Sequence, residues 1–319
     1  MEILNNLSPD KNAAGPCVVS LGNFDGVHLG HRELFRQLVA MAKNKQCRSV
    51  VYTFSPHPLK VLFPDKSPLL LNTPDEKRRL IEASHIDTLI EAPFTQKFAA
   101  MSPERFVDEI LVAALQARGL VIGYDYAFGK NRAGNAEFLQ RYCSEKGIDV
   151  LVLQPVGSDG LPYSSTRIRQ MLMEGKVAEA VNLLGRHYNL EGTVVAGKQR
   201  GRKLGFPTAN LVTDKEQLPA AGVYAVKVRY RLQEYNGVVN LGKCPTFAND
   251  KSTIEVHLLD FSGDLYGDKI RIYFVERLRD EKTFSGLQEL TAAIEADIVR
   301  ARQILGSRHI IQYQEYLSY

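Results

Sequence analysis

Ten residues decide the architecture of the first half of the chain: Gly22-Asn23-Phe24-Asp25-Gly26-Val27-His28-Leu29-Gly30-His31. A short, apolar, β-branched segment, Val18–Leu21, precedes them, and Leu29–Lys43 carries apolar residues at helical spacing. The stretch therefore lies where a strand ends and a helix begins. In an open α/β sheet, ligands bind at such junctions, outside the carboxyl end of a strand.

The residue types in this stretch suit an anionic ligand. Gly22, Gly26 and Gly30 allow the backbone to approach a phosphate closely, and the following helix offers free N–H groups and a positive dipole end. His28 and His31 are three residues apart, which at a helix start places both imidazoles on one side. Two donors there can stabilise negative charge on a phosphate under attack. The simpler alternative is a pair of surface histidines in a glycine-rich turn.

The rest of the first half alternates strand-like and helix-like segments, which predicts a doubly wound, mostly parallel sheet. A proline-rich segment, 56–74, is expected to be an irregular loop. Further strands are predicted at Arg48–Phe54, Thr88–Glu91, Leu120–Gly123 and Val150–Gln154, and helices at Pro74–Ser84, Ser102–Gln116 (with Ser102 as N-cap) and Asn135–Lys146.

After about residue 186 the pattern changes to short strands that predict an antiparallel sandwich or small barrel. Asn236-Gly237 is a turn signal, and the domain boundary is placed between 1–186 and 187–319. The predicted strands are Gly192–Ala196, Val223–Tyr230, Glu234–Leu241, Thr253–Leu259 and Lys269–Phe274. A closing helix carries an apolar stripe, expected to cover an open barrel face, at Leu287, Leu290, Ile294, Ile298, Ala301 and Leu305.

Two further segments of the first half carry candidate ligand-binding residues. Ser164-Ser165-Thr166-Arg167-Ile168-Arg169 opens a helix, where hydroxyls and N–H groups form an anion cradle and an arginine can clamp phosphates. Taken alone, such a run is commonly only a helix cap. Gly123–Gly129 combines aromatic residues with Asp125 at a strand end. With Phe54–Pro58 it fits a wall for a flat aromatic ligand and, equally, an aromatic core patch.

The segment 192–210 is dense in glycine and basic residues without forming a Walker A loop. Its glycines, interleaved with Lys198, Arg200, Arg202 and Lys203, can wrap a polyphosphate, although a basic β-turn is the plainer alternative. Thr208 and Asn210 are two residues apart, so their neutral oxygens face the same way on an extended segment. Such oxygens suit Mg²⁺, which takes its remaining ligands from phosphates and water.

Composition sets the class of protein. The 319 residues are 45% hydrophobic and 24% charged with a net charge of +4, typical of a globular protein and too weakly basic to indicate nucleic acid. The four cysteines are far apart and predict free thiols in a reducing compartment. No apolar leader or membrane-spanning run is visible, so a cytoplasmic location is expected.

The motifs together resemble those of the bacterial bifunctional riboflavin kinase/FAD synthetase family. Gly22–His31 is similar to the family's nucleotidyltransferase signature, Thr53–Pro58 to its T-F-x-P-H-P segment, and Ser164–Arg169 to its S-S-T-x-I-R signature. Gly123–Gly134 resembles a third segment, with Asn135 where an acid is common. In the second half the resemblance covers 192–210, Asn240–Phe247, Thr253–His257 and Arg279–Phe284.

The resemblance implies a Rossmann-like nucleotidyltransferase domain followed by a six-stranded antiparallel riboflavin kinase barrel with a C-terminal helix. It implies Mg²⁺, ATP, riboflavin and FMN as ligands, and a monomer or weak homo-oligomer. On this resemblance, His28 and His31 are expected to act in adenylyl transfer by stabilising charge and not by abstracting a proton. Glu255 is expected to be the general base of the kinase. ATP contacts in the first domain are Gly22, Phe24, Asp25, Gly26, His28, Gly30, His31, Asp125, Ser164, Ser165, Thr166 and Arg169, and flavin contacts are Phe54, Pro56, Pro58, Phe128 and Arg132.

In the kinase domain the resemblance assigns ATP, flavin and metal contacts. ATP contacts are Gly192, Gly197, Gly201, Arg202, Gly205, Phe206 and Pro207; flavin contacts are Arg279, Glu281 and Phe284; metal ligands are Thr208 and Asn210. Three alternatives stay open: an enzyme with one live activity, an aminoacyl-tRNA synthetase-like RNA partner, and a flavin carrier without catalysis. The absence of a K-M-S-K-S run disfavours the second.

Overall fold

The computed structural model describes residues 1–5, 15–158, 160–197, 201, 204–243 and 252–312. Within them the chain forms two compact units, 1–164 and 165–312. The boundary that the sequence suggests, near residue 186, stays a prediction.

Cys17, Cys47 and Cys143 are free thiols, and Cys244 lies outside the described residues. Burial raises the pKa of the Cys17 thiol to about 12.

The first unit is built on a six-stranded, fully parallel sheet with the strand order β1-β4-β3-β2-β5-β8. Its central strand β2 is buried along its whole length, as expected when both faces of a parallel sheet are covered. The strands in chain order are β1 (Glu2–Leu4), β2 (Cys17–Leu21), β3 (Arg48–Ser55), β4 (Thr88–Pro93), β5 (Ala117–Gly123), β6 (Ala127–Phe128), β7 (Gly134–Asn135), β8 (Asp149–Leu153), β9 (Gly157–Ser158) and β10 (Leu161–Pro162).

Helices of the first unit pack against this sheet. They are α1 (Leu29–Asn44), α2 (Pro58–Leu62), α3 (Pro74–Glu82), α4 (Gln96–Ala99), α5 (Pro103–Arg105), continued by a π-helical stretch Phe106–Ala114, and α6 (Ala136–Ser144), with 3₁₀ turns at Pro64–Lys66 and Lys130–Arg132. Phe35 and Leu38 of α1 fill one face, and Phe106 and Leu111 fill the other. The doubly wound prediction is confirmed.

Capping residues fix where several helices begin. The Ser102 hydroxyl accepts from the amide of Arg105, as predicted, and Asn135 caps α6 by accepting from the amide of Phe138 at 2.8 Å. This cap gives a structural reason for asparagine at this position. The predicted irregular loop 56–74 is wrong in part. Pro58 opens α2 and Pro64 a 3₁₀ turn, because proline is favoured at the first helical position.

The second unit is a closed antiparallel barrel with the strand order β11-β12-β15-β14-β13-β16. The strands are β11 (Asn189–Val195), β12 (Ala209–Val212), β13 (Gly222–Tyr230), β14 (Gln233–Lys243), β15 (Ser252–Leu258) and β16 (Lys269–Arg279), and the helices are α7 (Ser165–Met173), α8 (Val177–Leu184) and α9 (Leu287–Leu305). The barrel prediction is confirmed, and a sandwich is excluded.

Two details of the barrel prediction are wrong. Asn236 and Gly237 pair with β13 inside β14, and the turn lies at Arg231–Leu232, where Arg231 itself takes a left-handed φ of 55°. Because β11 and β16 pair, the barrel has no open face, and α9 packs on its outer side through Ala301 and Leu305. Leu287, the first residue of the predicted stripe, is 67% exposed.

Candidate active sites in the two units

The loop after β2 is buried and strained. Phe24 and Val27 have φ values of 50° and 38°, and Gly26 has 82°, so three of four consecutive residues are left-handed. A β-branched residue is rarely found there. Phe24 and Val27 are nevertheless 2% and 1% exposed, so packing holds the conformation. Strain maintained by packing is a feature of ligand-binding loops.

The two histidines lie together at the start of α1, as the sequence predicts. The His28 ring accepts a hydrogen bond from the His31 amide, and the two imidazoles stack with centroids 3.6 Å apart and planes 18° from parallel. The edge of Phe24 meets His31 at 5.3 Å. Gly30 leaves room for this stack, because a Cβ there would stand 3.2 Å from the His28 ring.

Asp25 has a different environment from the one expected. Its carboxylate accepts from the backbone amides of Leu71, at 3.0 and 3.1 Å, and Asn72, at 3.3 Å, and it is 7% exposed. Gly26 is held close to the same segment, since a Cβ would lie 2.7 Å from Leu71 Cδ1. Asp25 thus anchors the loop, and a contact with ATP stays a prediction.

A cavity of about 660 Å³ opens at the carboxyl ends of the parallel strands. Six predicted site residues line it: Gly22, Phe54, Pro58, Asp125, Phe128 and Arg132. Pro56 is not among its lining residues. The cavity thus brings most predicted flavin contacts together beside the strained loop.

The sequence left open whether the aromatic residues around Phe128 line a ligand cavity or belong to the core, and the structure shows that they do both. Phe128 is 8% exposed and packs on Phe106 at 5.1 Å, yet it also lines the cavity beside Tyr126, which stacks on it at 5.6 Å. Burial, with a smaller effect from Tyr52, raises the pKa of Tyr126, so its hydroxyl stays neutral. A Cβ at Gly134 would stand 2.5 Å from the Phe128 ring, so that glycine fixes the ring position.

Sequence reasoning missed the opposite wall of this cavity. Phe94 and Phe98 lie 5.7 Å apart, and each packs against Phe54, at 5.2 and 5.4 Å. Met101, Leu59 and Phe63 complete the apolar lining. The position of Phe94 was detectable, because it follows the carboxyl end of β4 and parallel strands end at the same edge. The other residues lie on short helical turns that carry no comparable signal.

Ser164 ends the first unit, and Ser165–Arg169 opens α7 in the second. Ile168 is fully buried and anchors this helix, while Thr166 is exposed and Ser164, Ser165 and Arg169 are half-buried. That these polar residues bind the same ATP as the two histidines stays a prediction.

In the second unit, strand register aligns the predicted base. Glu255 of β15 lies opposite Asn210 of β12 on one side and Asn240 of β14 on the other. Directly opposed residues share a face of the sheet. Ile254 and Val256 are buried, so alternation turns Glu255 to the other face, where it is half-buried.

The two predicted metal ligands, Asn210 and Thr208, each pack against a glycine. A Cβ at Gly197 would stand 2.0 Å from Asn210 Nδ2 and 2.9 Å from its Oδ1, and one at Gly201 would stand 3.3 Å from Thr208 Oγ1. The carboxamide and the hydroxyl are therefore both packed on glycine backbone. Neutral oxygens so held fit Mg²⁺ bound largely through nucleotide phosphates. Lys198, Arg200, Arg202 and Lys203 lie outside the described residues.

A second cavity, of about 530 Å³, borders this segment and is lined by Pro207 and Thr208. His257 fixes its rim by donating from Nδ1 to the Pro207 carbonyl at 2.8 Å, and its ring meets Phe206 edge-on at 6.1 Å. The loop Phe261–Tyr266 forms the other wall. No sequence pattern marked that loop as part of a site. The predicted Gly192 lies in β11, and Gly205 takes a φ of +87°.

The predicted flavin loop is braced by α9. The Arg279 guanidinium binds Asp297 through Nε at 3.0 and 3.1 Å and lies 5.5 Å from the Phe284 ring centroid. Glu281 Oε1 stands 2.9 Å from where a Cβ on Gly242 would be. Arg279 and Phe284 are thus brought together, with the arginine engaged by the helix.

These features define a class: a parallel-sheet domain of the nucleotidyltransferase type joined to a flavokinase-type barrel. The family model described as FAD synthetase matches residues 10–167, and that described as riboflavin kinase matches residues 184–305. The chain belongs to the bifunctional riboflavin kinase/FMN adenylyltransferase family, and it carries both domains.

Relatives support this assignment over most of the chain. The bifunctional riboflavin kinase/FMN adenylyltransferase of Escherichia coli K12 is 38% identical over 91% of this chain and 93% of its own, and that of Pseudomonas fluorescens is 37% identical over 94% and 96%. A Streptococcus pneumoniae crystal structure described as a macrolide-efflux protein superposes with a TM-score of 0.86 at 34% identity, covering 95% of this chain and 99% of that one. Among the residues described here, no helix is long and apolar enough to cross a membrane.

Proposed function

We propose that this protein phosphorylates riboflavin with ATP to give FMN, and then transfers AMP from a second ATP to FMN, giving FAD and pyrophosphate. The observation that carries the proposal is the presence of both family domains, each with a cavity beside its signature residues. Both reactions are placed in the cytoplasm, and the protein acts as a monomer or weak homo-oligomer.

In the kinase unit, the nucleophile is a ribityl hydroxyl whose proton must leave. Glu255 is the proposed base, since it is half-buried between Asn210 and Asn240 on adjacent strands. Thr208 and Asn210 would hold Mg²⁺, which would supply neutralisation of the phosphate charge of ATP. Arg279, which Asp297 holds in place, and Phe284 are proposed to orient the flavin ring.

In the adenylyltransferase unit, the nucleophile is the FMN phosphate, already an anion that needs no base. The obstacle is repulsion between two negatively charged groups. The stacked pair His28 and His31 is proposed to stabilise the charge that develops at the α-phosphate. The aromatic cavity binds the isoalloxazine ring between Phe54 and Phe128.

The experiment is incubation of the protein with riboflavin, ATP and Mg²⁺, followed by chromatographic separation of the flavins. FMN followed by FAD is the expected course, and FMN supplied directly should also yield FAD. Formation of FMN alone would favour an enzyme with one live activity. Binding of flavin without ATP turnover would favour a carrier, and tRNA retention on filters at physiological salt would favour an RNA partner.

A further inference from the structure

Helix α3 places a lysine behind the strained loop. Lys77 Nζ donates a hydrogen bond to Thr53 Oγ1 at 3.2 Å, and that hydroxyl donates to the carbonyl of Asn23 at 3.2 Å. Thr53 is fully buried, and Asn23 lines the flavin cavity. A cation is thereby connected through one hydroxyl to the loop that ends on the histidine pair.

The same loop is held from its other side by the segment that leads into α3. Asp25 binds the amides of Leu71 and Asn72, and Asn72 donates to Glu76 at 3.3 Å. Glu76 completes the capping box with Thr73 at the start of α3. One helix therefore supports the loop at both Asn23 and Asp25.

The two carboxylates nearest in charge effect to Lys77, those of Glu91 and Asp25, are each bound by other groups. The Glu91 carboxylate is bound by Arg78 at 2.7 Å, and the Asp25 carboxylate is bound by backbone amides. Lys77 is half-buried, and removing part of the hydration of an ammonium group is costly unless the group is paired and hydrogen-bonded. The reaction proposed for this unit brings two anionic phosphates together, and a cation in a low-dielectric region lowers the free energy of such an arrangement.

We propose that Lys77 is a positioning residue for adenylyl transfer. Through Thr53 it fixes the carbonyl of Asn23, and with it the loop that presents His28 and His31. The inference rests on the function proposed above, and its premise is that Lys77 acts through Thr53 without contacting substrate. The relay Lys77–Thr53–Asn23 is a single unit, so removing the side chain of Lys77 or of Thr53 breaks the link between α3 and Asn23, while Asp25 stays anchored.

The charge state of the relay gives a readout that a purely structural role lacks. Burial lowers the pKa of Lys77, opposed by Glu91 and Asp25 and assisted by Arg78. The ammonium therefore loses its proton at a lower pH than an exposed lysine, and FAD formation should decline as the pH rises through that range. An arginine keeps its charge there, so Lys77→Arg should move the alkaline decline to higher pH.

The test measures kcat and KM for FAD formation from FMN, with FMN formation from riboflavin as an internal control in the same samples. Lys77→Met and Thr53→Val should each lower kcat for FAD formation roughly 10- to 100-fold with a smaller change in KM, and the double variant should lose no more than either single variant. Lys43→Met, an exposed lysine on α1, is the matched control and should behave as wild type.

The proposal would be overturned by an unchanged kcat in Lys77→Met, by multiplicative losses in the double variant, or by an alkaline limb that does not move in Lys77→Arg. Equal loss of both activities would also count against it, since that marks general unfolding. Wild-type protein that forms no FAD from FMN would instead refute the proposed function, so the two failures are distinguishable.

Discussion

At the scale of single residues, Glu255 and His31 carry the proposed division of labour. Ile254 and Val256 on β15 are buried. Because side chains alternate along a strand, Glu255 between them points to the opposite face of the sheet. His31 is held by ring stacking on His28 and an edge contact with Phe24. His31 and Glu255 belong to different units. For a variant at either residue, the activity of the other unit therefore serves as an internal control in the same preparation.

Replacing Glu255 by glutamine should lower riboflavin phosphorylation by roughly 100- to 10,000-fold, because the amide cannot accept the hydroxyl proton. FAD formation from supplied FMN should be unaffected. Initial rates of both reactions, measured by flavin chromatography, check this. A variant with wild-type kinase turnover would show that another group, or none, acts as the base.

Replacing His31 by alanine should lower FAD formation roughly 100- to 1,000-fold, the cost typical of removing one donor that stabilises developing charge. Kinase turnover should stay at the wild-type value. His309→Ala, an exposed histidine of the barrel unit, is the control. An obligatory deprotonated histidine in the pH–rate profile would contradict the assignment of charge stabilisation and indicate a base.

At the scale of elements, glycines in the loop between β11 and β12 set the position of the side chains proposed to bind the metal. Gly197 is the sharpest case, because its missing Cβ leaves space for the Asn210 carboxamide. Gly197→Ala should therefore displace Asn210 and lower kinase turnover at least tenfold, while FAD formation is retained. Titration of kinase activity with Mg²⁺ should show a weaker apparent affinity.

The matched control is Gly286→Ala, where an added Cβ meets no atom within 4 Å and φ is extended. It should leave both activities unchanged. A Gly197→Ala enzyme with normal magnesium dependence would mean that Asn210 is not a ligand, or that the loop relaxes without cost.

Strand and helix positions were largely predictable because apolar periodicity reflects burial directly. Ser102 and the start of α1 were placed correctly from capping chemistry and spacing. The turn at Asn236-Gly237 failed because barrel pairing with β13 outweighs the local preference of that dipeptide. The π-helical stretch at Phe106–Ala114 has no sequence signal of its own, since it differs from an α-helix only in hydrogen-bond register.

The candidate sites were predictable where residues lie at strand ends or within signature stretches, and less so elsewhere. Phe54 and Phe128 were predicted flavin contacts, and both line the cavity at the carboxyl ends of the parallel strands. Asp25 was expected at ATP, yet its carboxylate is bound by amides of Leu71 and Asn72, about 46 residues along the chain. Such long-range contacts between a side chain and backbone leave no periodic trace in a sequence.

At the scale of the whole molecule, the two activities should be separable and complementary. A mixture of Glu255→Gln and His31→Ala proteins should convert riboflavin to FAD, because FMN made by the second diffuses to the first. Neither variant alone should do so. Chromatography over time would show FMN accumulating before FAD, with a lag that shortens as total protein rises.

Failure of the mixture, with each protein active in its own half-reaction, would mean that FMN is not released by the kinase unit. That result would replace the picture of two independent domains by one of direct transfer. The barrel strands form a closed hydrogen-bonded ring, and the six-stranded parallel sheet has its own buried cluster. Each unit therefore has a separate hydrophobic core.

The strand order of the sheet also has a consequence during synthesis. Strand β2 pairs with β3 soon after both emerge from the ribosome, but its other neighbour is β5, with Cys17 opposite Ala117. At about 5–20 residues per second, the wait for that second partner lasts roughly 5–20 s. During this interval the free edge of β2, a strand that is apolar apart from Ser20, is open to other nascent chains. Rapid overexpression should therefore favour inclusion bodies, and slower translation or a holdase chaperone should favour recovery of native protein.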